Sequence, residues 1–355
     1  MKGEGKVKRV LLFVLIITMM VTFLAGCKGE QTSGGTTDNK KEETIVIAWY
    51  PNESGAELEE AREELSKVIE KATGKKVEHK ITTDYLIAIE AIVNGNAHLA
   101  WTGAEGYIQA HNKNDKVLPL FVPSGKSGTL KDAVYYSWLS VKKGNEDQYK
   151  EGDKFKIDNI QGKKFSFVSN SSTSGFRVPS SKIKAYFSKK DEWKDLTVED
   201  LMEGGKFFSE VLYGGSHQGS AVNLLKGKAD VAAFCDTCVA NYVEHVSGTP
   251  NRPGAVYRVK EDAAEPFNTV VGEEFVLISV TPVLNAPFIY NSEVLSEEDK
   301  KAILKAMTSD EVANNEKIWV PKGSDFTGLF TKKANERFVE VHDEWFNPIR
   351  ELAAQ

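Results

Sequence analysis

Strand and helix patterns alternate from Thr44 to Trp101, and that alternation leaves few folds open. Thr44-Ile45-Val46-Ile47-Ala48-Trp49 is a short apolar strand. A Pro/Asn/Ser/Gly loop occupies residues 51–55. Residues 56–72 place Leu58, Ala61, Leu65, Val68, Ile69 and Ala72 on one helical face, and Gly74 ends that helix. Lys76–Thr82 is the next strand. Asp84 caps a helix that runs to about Val93 and stops at Asn94-Gly95. Ala97–Trp101 is a third strand. Strands separated by helices of this length form a parallel sheet with right-handed crossovers.

The pattern returns in the middle of the chain. Lys164–Val168 reads as a strand, residues 174–188 as a helix, and Phe207–Tyr213 at least partly as a strand. Residues 218–226 read as a helix and Ala229–Phe234 as a strand. The stretches Ala91–Ala100 and Asn223–Ala232 share a helix end, a glycine and a strand start, a weak internal likeness that suggests two α/β lobes. Tyr135–Lys142 and Glu274–Val280 are expected to carry the chain out and back, so that both ends share a lobe. This places residues 44–138 with 280–355 in one lobe and 139–279 in the other, around a hinged cleft. Ser296–Met307 and Lys332–Leu352 are helical by composition and spacing.

Before these lobes lie two segments of different character. Lys2, Lys6, Lys8 and Arg9 precede an uncharged, largely apolar run from Val10 to Ala25, short for a membrane span. Leu24-Ala25-Gly26-Cys27 closes it and resembles a bacterial lipoprotein signal, so residues 1–26 are expected to be removed and Cys27 lipidated. Residues 27–43 contain no bulky apolar side chain after Cys27 and read as a tether. The expected location is outside the cytoplasmic membrane, on a lipid anchor. Residues 1–26 hold four basic side chains and one acidic, which takes the net charge from −6 for the whole chain to −9 for the rest. A chain so acidic excludes nucleic acid as a partner, and any anion it binds is held by local donors.

Cys235 and Cys238 form a Cys-x-x-Cys pair. A small disulfide, two free thiols, a redox centre and a pocket wall are all open readings, with a structural role favoured. One such pair is half a zinc site, and no metal or cofactor is expected.

The chemistry-bearing segments sit where strands give way to helices, which is where open α/β sheets bind ligands. Ser169-Asn170-Ser171-Ser172-Thr173-Ser174-Gly175-Phe176 follows a strand and opens a helix. Helix N-termini carry unpaired N–H groups and a positive dipole end, and Ser172, Thr173 and Ser174 add hydroxyls. Gly175 permits close backbone approach. Neutral donors of this kind suit a tetrahedral oxyanion, although a solvated serine loop with a helix cap has the same composition. Tyr213-Gly214-Gly215-Ser216-His217-Gln218 and Trp101-Thr102-Gly103-Ala104-Glu105 are further junctions, and Tyr85 begins the helix before the latter.

Asn170-Ser171-Ser172-Thr173-Ser174-Gly175-Phe176, with Pro179, resembles the Ser-Thr-Ser-Gly signature of the phosphate/phosphite/phosphonate-binding proteins of ABC importers, the PhnD-like family. Asp84-Tyr85, Ala100-Trp101-x-Gly103 and Gly215-Ser216-His217 fall in that family's order over roughly residues 44–320. The resemblance implies a two-lobed type II periplasmic-binding fold, no catalysis and a membrane permease as partner. It also implies that Ser172, Thr173, Ser174 and His217 grip phosphoryl oxygens while Tyr85 closes over them. Thr102, Ser216 and Gly175 complete the expected site, and the protein is expected to be a monomer. Relatives often carry a tyrosine where Thr102 stands. Aminoalkylphosphonate binders place acids around the ammonium group. Leu284-Asn285-Ala286-Pro287 carries none, which favours phosphite, phosphate or methylphosphonate, with Asp236 and Glu105 as alternative acids. A sensor of the same fold for another small anion, and a hydrolase using Ser172, His217 and Asp236, are the competing readings. No Gly-x-Ser-x-Gly elbow supports the hydrolase.

Overall fold

The structure, a computed structural model, describes residues 44–354. The expectations for the signal segment, Cys27 and the tether lie outside the described residues. The chain begins β1 (Thr44–Trp49), α1 (Glu59–Thr73), β2 (Lys76–Ile81), α2 (Tyr85–Val93), β3 (Leu99–Trp101), α3 (Ala104–Lys113) and β4 (Val117–Pro123). It continues through β5 (Val134–Lys142), a hairpin of β6 (Lys150–Glu151) and β7 (Lys154–Phe155), β8 (Lys164–Phe167) and α4 (Val178–Phe187). Next come β9 (Glu210–Tyr213), α5 (His217–Leu225), β10 (Val231–Cys235), α6 (Asp236–Val239), β11 (Val243–Ser247) and β12 (Val256–Val259). The last part holds β13 (Glu274–Leu284), β14 (Phe288–Asn291), α7 (Glu297–Met307), α8 (Asp310–Ala313), β15 (Trp319–Pro321), β16 (Phe330–Lys332), β17 (Phe338–Glu340) and α9 (Asn347–Ala354).

Two large mixed sheets organise the molecule. The first has six strands in the order β17-β4-β14-β3-β1-β2, with β1 parallel to both β2 and β3. Leu65 and Ile69 of α1 and Ile303 and Met307 of α7 pack with Ile45, Ile47 and Trp49. Ile89 and Ile92 of α2 and Tyr107 and Ile108 of α3 pack with Ala48, Ala100 and Ile289. Each such fully buried aliphatic contributes roughly 1.5–3 kcal/mol. The second sheet has seven strands, β11-β12-β13-β5-β10-β8-β9, with a phenylalanine-rich core that includes Phe165, Phe167, Phe207 and Phe208.

Local signals set most element ends. Asp84 Oδ1 accepts the Leu86 N–H at 2.7 Å, and Gly74 closes α1 with φ +70° and its N–H on Glu70 O. Two expectations need correction. β5 and β13 pair antiparallel from Val134↔Leu284 to Lys142↔Phe275, so they are full strands of the second sheet and not the links between lobes. The links are residues 124–133 and 285–287, where Asn285 N donates to Ala133 O at 3.0 Å. The lobe limits read from sequence fall inside that strand pair. The stretch Lys332–Leu352 is not a helix throughout. Phe338–Glu340 pairs with β4, and α-helix begins only at Asn347, after a 3-10 turn over Asp343–Phe346. Phe338 is drawn into a cluster with Phe121, Phe288, Trp319 and Phe330, a tertiary gain that overrides local propensity.

Candidate functional site

The site forms where the carboxyl ends of strands in both sheets meet. After β8, Ser172 accepts the Gly175 N–H at 3.1 Å and caps a single π turn over Thr173–Arg177, closed by Arg177 N on Ser172 O at 2.9 Å. This turn precedes α4, where a continuous helix was expected from residue 174. π turns recur at binding sites because they redirect side chains. Thr173 Oγ1 accepts the Glu105 N–H at 2.9 Å, in the first turn of α3. Ser137 Oγ donates to Ser174 O at 2.6 Å. Ser172, Thr173 and Ser174 are all buried.

After β9, Gly215 turns the chain with φ +72°, a conformation that favours glycine, and α5 begins at His217. His217 Nδ1 accepts the Cys235 N–H at 3.0 Å. The ring proton therefore sits on Nε2, which lies 3.4 Å from Ser172 Oγ. Burial pushes the imidazole down to about 3, so it is a neutral donor at physiological pH. Its main-chain N–H donates to Asn52 Oδ1 at 3.0 Å, and Asn52 Nδ2 donates to the Tyr85 hydroxyl at 2.7 Å. Ser172 lies near the Tyr85 hydroxyl, and Ser174 and Thr173 near that of Tyr135. Burial raises both phenols.

The structure thus gathers Ser172, Thr173, Ser174, His217 and Tyr85 into one buried cluster. Thr102 is buried at the α3 junction, its hydroxyl without a hydrogen-bond partner among the described residues. Ser216 plays another part: its hydroxyl accepts the Gly219 N–H at 2.9 Å and caps α5. Gly175 is required by packing, since a Cβ there would collide with Val168 and stand 2.8 Å from Ser172 Oγ. Both glycine and serine hold the loops rather than the centre of the cluster.

Sequence reasoning missed Asn52, Tyr50, Glu53 and Tyr135. Asn52 and Glu53 lie in the loop at the carboxyl end of β1, a position the strand-end rule points to. Tyr50 packs tilted against Tyr85 at 4.0 Å between ring centroids, and a Cβ on Gly106 would collide with its hydroxyl beside Thr102. Tyr50 therefore brings a ring and a hydroxyl close to Gly106 and Thr102. The alternative acids are already engaged. Glu105 makes a bidentate pair with Arg177, at 3.0 Å to Nε and 2.8 Å to Nη2. Asp236 accepts the Tyr136 N–H at 2.8 Å and Asn251 Nδ2 at 3.3 Å, and burial raises its carboxyl.

A Ser-His-Asp relay is not assembled here, because the Cys235 N–H and not a carboxylate occupies His217 Nδ1. Cys235 and Cys238 are joined as a disulfide. With His217 they bring one nitrogen and two sulfurs within 4.8 Å, but sulfurs bonded to each other offer no thiolate to a metal.

The arrangement matches known proteins along most of its length. The family described as "ABC transporter, phosphonate, periplasmic substrate-binding protein" matches residues 47–346. The phosphate-import protein PhnD of Mycolicibacterium smegmatis is 28% identical over 223 residues, which are 61% of this chain; the match spans 62% of that relative's length. A binding protein component of an ABC phosphonate transporter from Pseudomonas aeruginosa superposes with TM-score 0.59 at 18% identity, over 87% of this chain and 85% of that one. PhnD1 from Prochlorococcus marinus, in complex with methylphosphonate, gives TM-score 0.60 at 14% identity, over 88% of this chain and 97% of that one. These structures share the two-lobed periplasmic-binding fold. With its strand-end donors and a match across both sheets, the chain belongs to the family of phosphonate periplasmic substrate-binding proteins of ABC transporters.

Proposed function

We propose that this protein captures a phosphorus oxyanion, a phosphonate, phosphite or phosphate, between its lobes and delivers it to a membrane permease. In this reading it works as a monomer outside the cytoplasmic membrane, held by a lipid on Cys27. The observation that carries the reading is the convergence of Ser172, Thr173, Ser174, His217 and Tyr85 in one buried cluster. Its donors are hydroxyls, a neutral imidazole and first-turn N–H groups, which bind an anion by direction and not by net charge. The naming of the mycobacterial relative for phosphate import and the methylphosphonate held by the marine neighbour support the same ligand class.

The energetics are sufficient. Micromolar affinity corresponds to about −8 kcal/mol. Five to eight hydrogen bonds to a charged ligand, at about 1.5–3 kcal/mol each, supply that after the cost of association. The test is calorimetric titration of ligand-stripped protein with phosphate, phosphite, methylphosphonate and 2-aminoethylphosphonate. Sub-millimolar binding of at least one is expected, with the amine-bearing ligand weaker because Glu105 and Asp236 are engaged elsewhere. Silence across the panel removes the phosphorus-oxyanion reading and leaves the fold.

A further inference from the structure

Two buried hydroxyls at the carboxyl ends of first-sheet strands have no partner in the fold. Tyr50 follows β1 and is 2% exposed, and Thr102 follows β3 and is fully buried. Neither the Tyr50 hydroxyl nor Thr102 Oγ1 has a hydrogen-bond partner among the described residues. Folded proteins rarely leave buried polar atoms unpaired, and two of them in one place mark where a polar group from outside the chain belongs.

Gly106 shows that the two hydroxyls stand together. A Cβ there would lie 1.8 Å from the Tyr50 hydroxyl and 3.5 Å from Thr102 Cβ, so both side chains meet the first turn of α3 at the same point. Gly103, which caps that turn, faces the oxyanion cluster: a Cβ on it would lie 2.6 Å from Thr173 Oγ1. Thr173 Oγ1 also accepts the Glu105 N–H at 2.9 Å. The first turn of α3 is therefore shared by the hydroxyl pair and by Thr173. The Tyr50 ring is held by its tilted contact with Tyr85, and Asn52 joins Tyr85 to His217.

The other donors come from the opposite side. Ser172, Thr173 and Ser174 follow β8 and His217 follows β9, both strands of the second sheet. A tetrahedral anion that shows three oxygens to those donors turns its fourth substituent toward the first sheet, where Tyr50 and Thr102 stand.

Resting on the oxyanion reading of the cleft, we propose that Tyr50 and Thr102 are its specificity-determining residues. Their hydroxyls hold the fourth oxygen of inorganic phosphate, and so select it over anions with hydrogen or carbon at that vertex. A hydroxyl both donates and accepts, so the pair satisfies a P–O⁻ and a P–OH alike. The hydrogen of phosphite or the methyl of methylphosphonate would leave both hydroxyls buried and unpaired. Sites built to bond a polar group reject analogues that lack it far more strongly than an apolar pocket rejects a change in size. Burial raises the Tyr50 phenol, which keeps its proton at neutral pH.

The experiment is calorimetry of the purified, ligand-stripped protein and of Y50F and T102V, each titrated with phosphate, phosphite and methylphosphonate at a single pH. Wild type is expected to bind phosphate at least about tenfold more tightly than either of the others. Y50F keeps the ring and T102V keeps the branched shape, and each should shrink that preference about tenfold. A merely structural role would weaken all three ligands together and leave their ratios as in wild type, which overturns the proposal. A wild type that binds phosphite or methylphosphonate as tightly as phosphate overturns it too. If neither variant folds by circular dichroism, the wild-type ranking decides alone. A wild type that binds none of the three overturns the oxyanion reading of the cleft itself, and the proposal with it.

Discussion

His217 shows how much one main-chain contact decides. With Nδ1 accepting from Cys235, the ring presents an N–H to Ser172, and its depressed basicity keeps it a donor without charge. Replacing His217 or Thr173 by Ala should weaken phosphorus-anion binding by at least about tenfold, since each removes a bond to a charged acceptor. Unchanged affinity in both variants, measured calorimetrically, would falsify the site assignment. Two titratable groups, the buried His217 and the partly buried Glu53, also pull stability in opposite directions. His217 falls from 6.5 to about 3 on folding, so its contribution is present above pH 6.5 and is lost as the pH falls toward 3. Glu53 rises from 4.5 to about 8, so its contribution is complete below pH 4.5 and is lost as the pH rises through 8. E53Q should therefore gain in melting temperature over wild type as the pH goes from about 5 to about 9, and a constant difference would count against the burial of Glu53. At this scale Ser172, Thr173, Ser174 and His217 were picked out because they sit at strand-to-helix junctions, where open α/β sheets bind ligands. Asn52, Glu53 and Tyr135 were not, since the partners that give them meaning lie on distant segments.

Between strands and helices, glycines set the geometry of the junctions. A Cβ on Gly214 would collide with the main chain of Gly219 and Ser220, which α5 holds in place. Gly214→Ala is expected to cost about 1–3 kcal/mol or more in urea denaturation, because no flexible side-chain end is there to move. An Ala at 214 with wild-type stability would mean that α5 starts differently. The beginning of α2 was readable from Asp84, whereas Ser216, expected in the ligand site, caps α5 through the Gly219 N–H. The end of the chain was not. Lys, Ala, Glu and Arg between 332 and 340 favour helix locally, but β17 gains an edge of the first sheet and a buried Phe338.

Across the whole molecule, polar contacts tie the elements of one sheet to those of the other. Thr173 meets Glu105, Asn52 meets His217, and Ser171 Oγ meets Gln109 at 2.8 Å. The Arg177–Glu105 pair is the strongest of these, with the carboxylate side chain 4% exposed and the guanidinium 19%. Removing Arg177 leaves a buried acid unpaired, at the low end of about 3–5 kcal/mol because Arg177 keeps some water. R177A should speed ligand release at least about tenfold in stopped-flow measurements, and pairing it with E105Q should restore part of the loss. Equal release rates in wild type and R177A would remove the pair from the closing contacts. By itself the sequence determined the alternation of strands and helices, the two-lobe plan and the hydroxyl-rich strand-to-helix junctions, because periodicity, caps and junction composition are local properties. Only the tertiary structure decided where the chain crosses between sheets, that Phe338 belongs to a strand, and that Asn52 joins His217 to Tyr85. Those outcomes rest on contacts between residues far apart in the chain, whose free energy no short stretch of sequence contains.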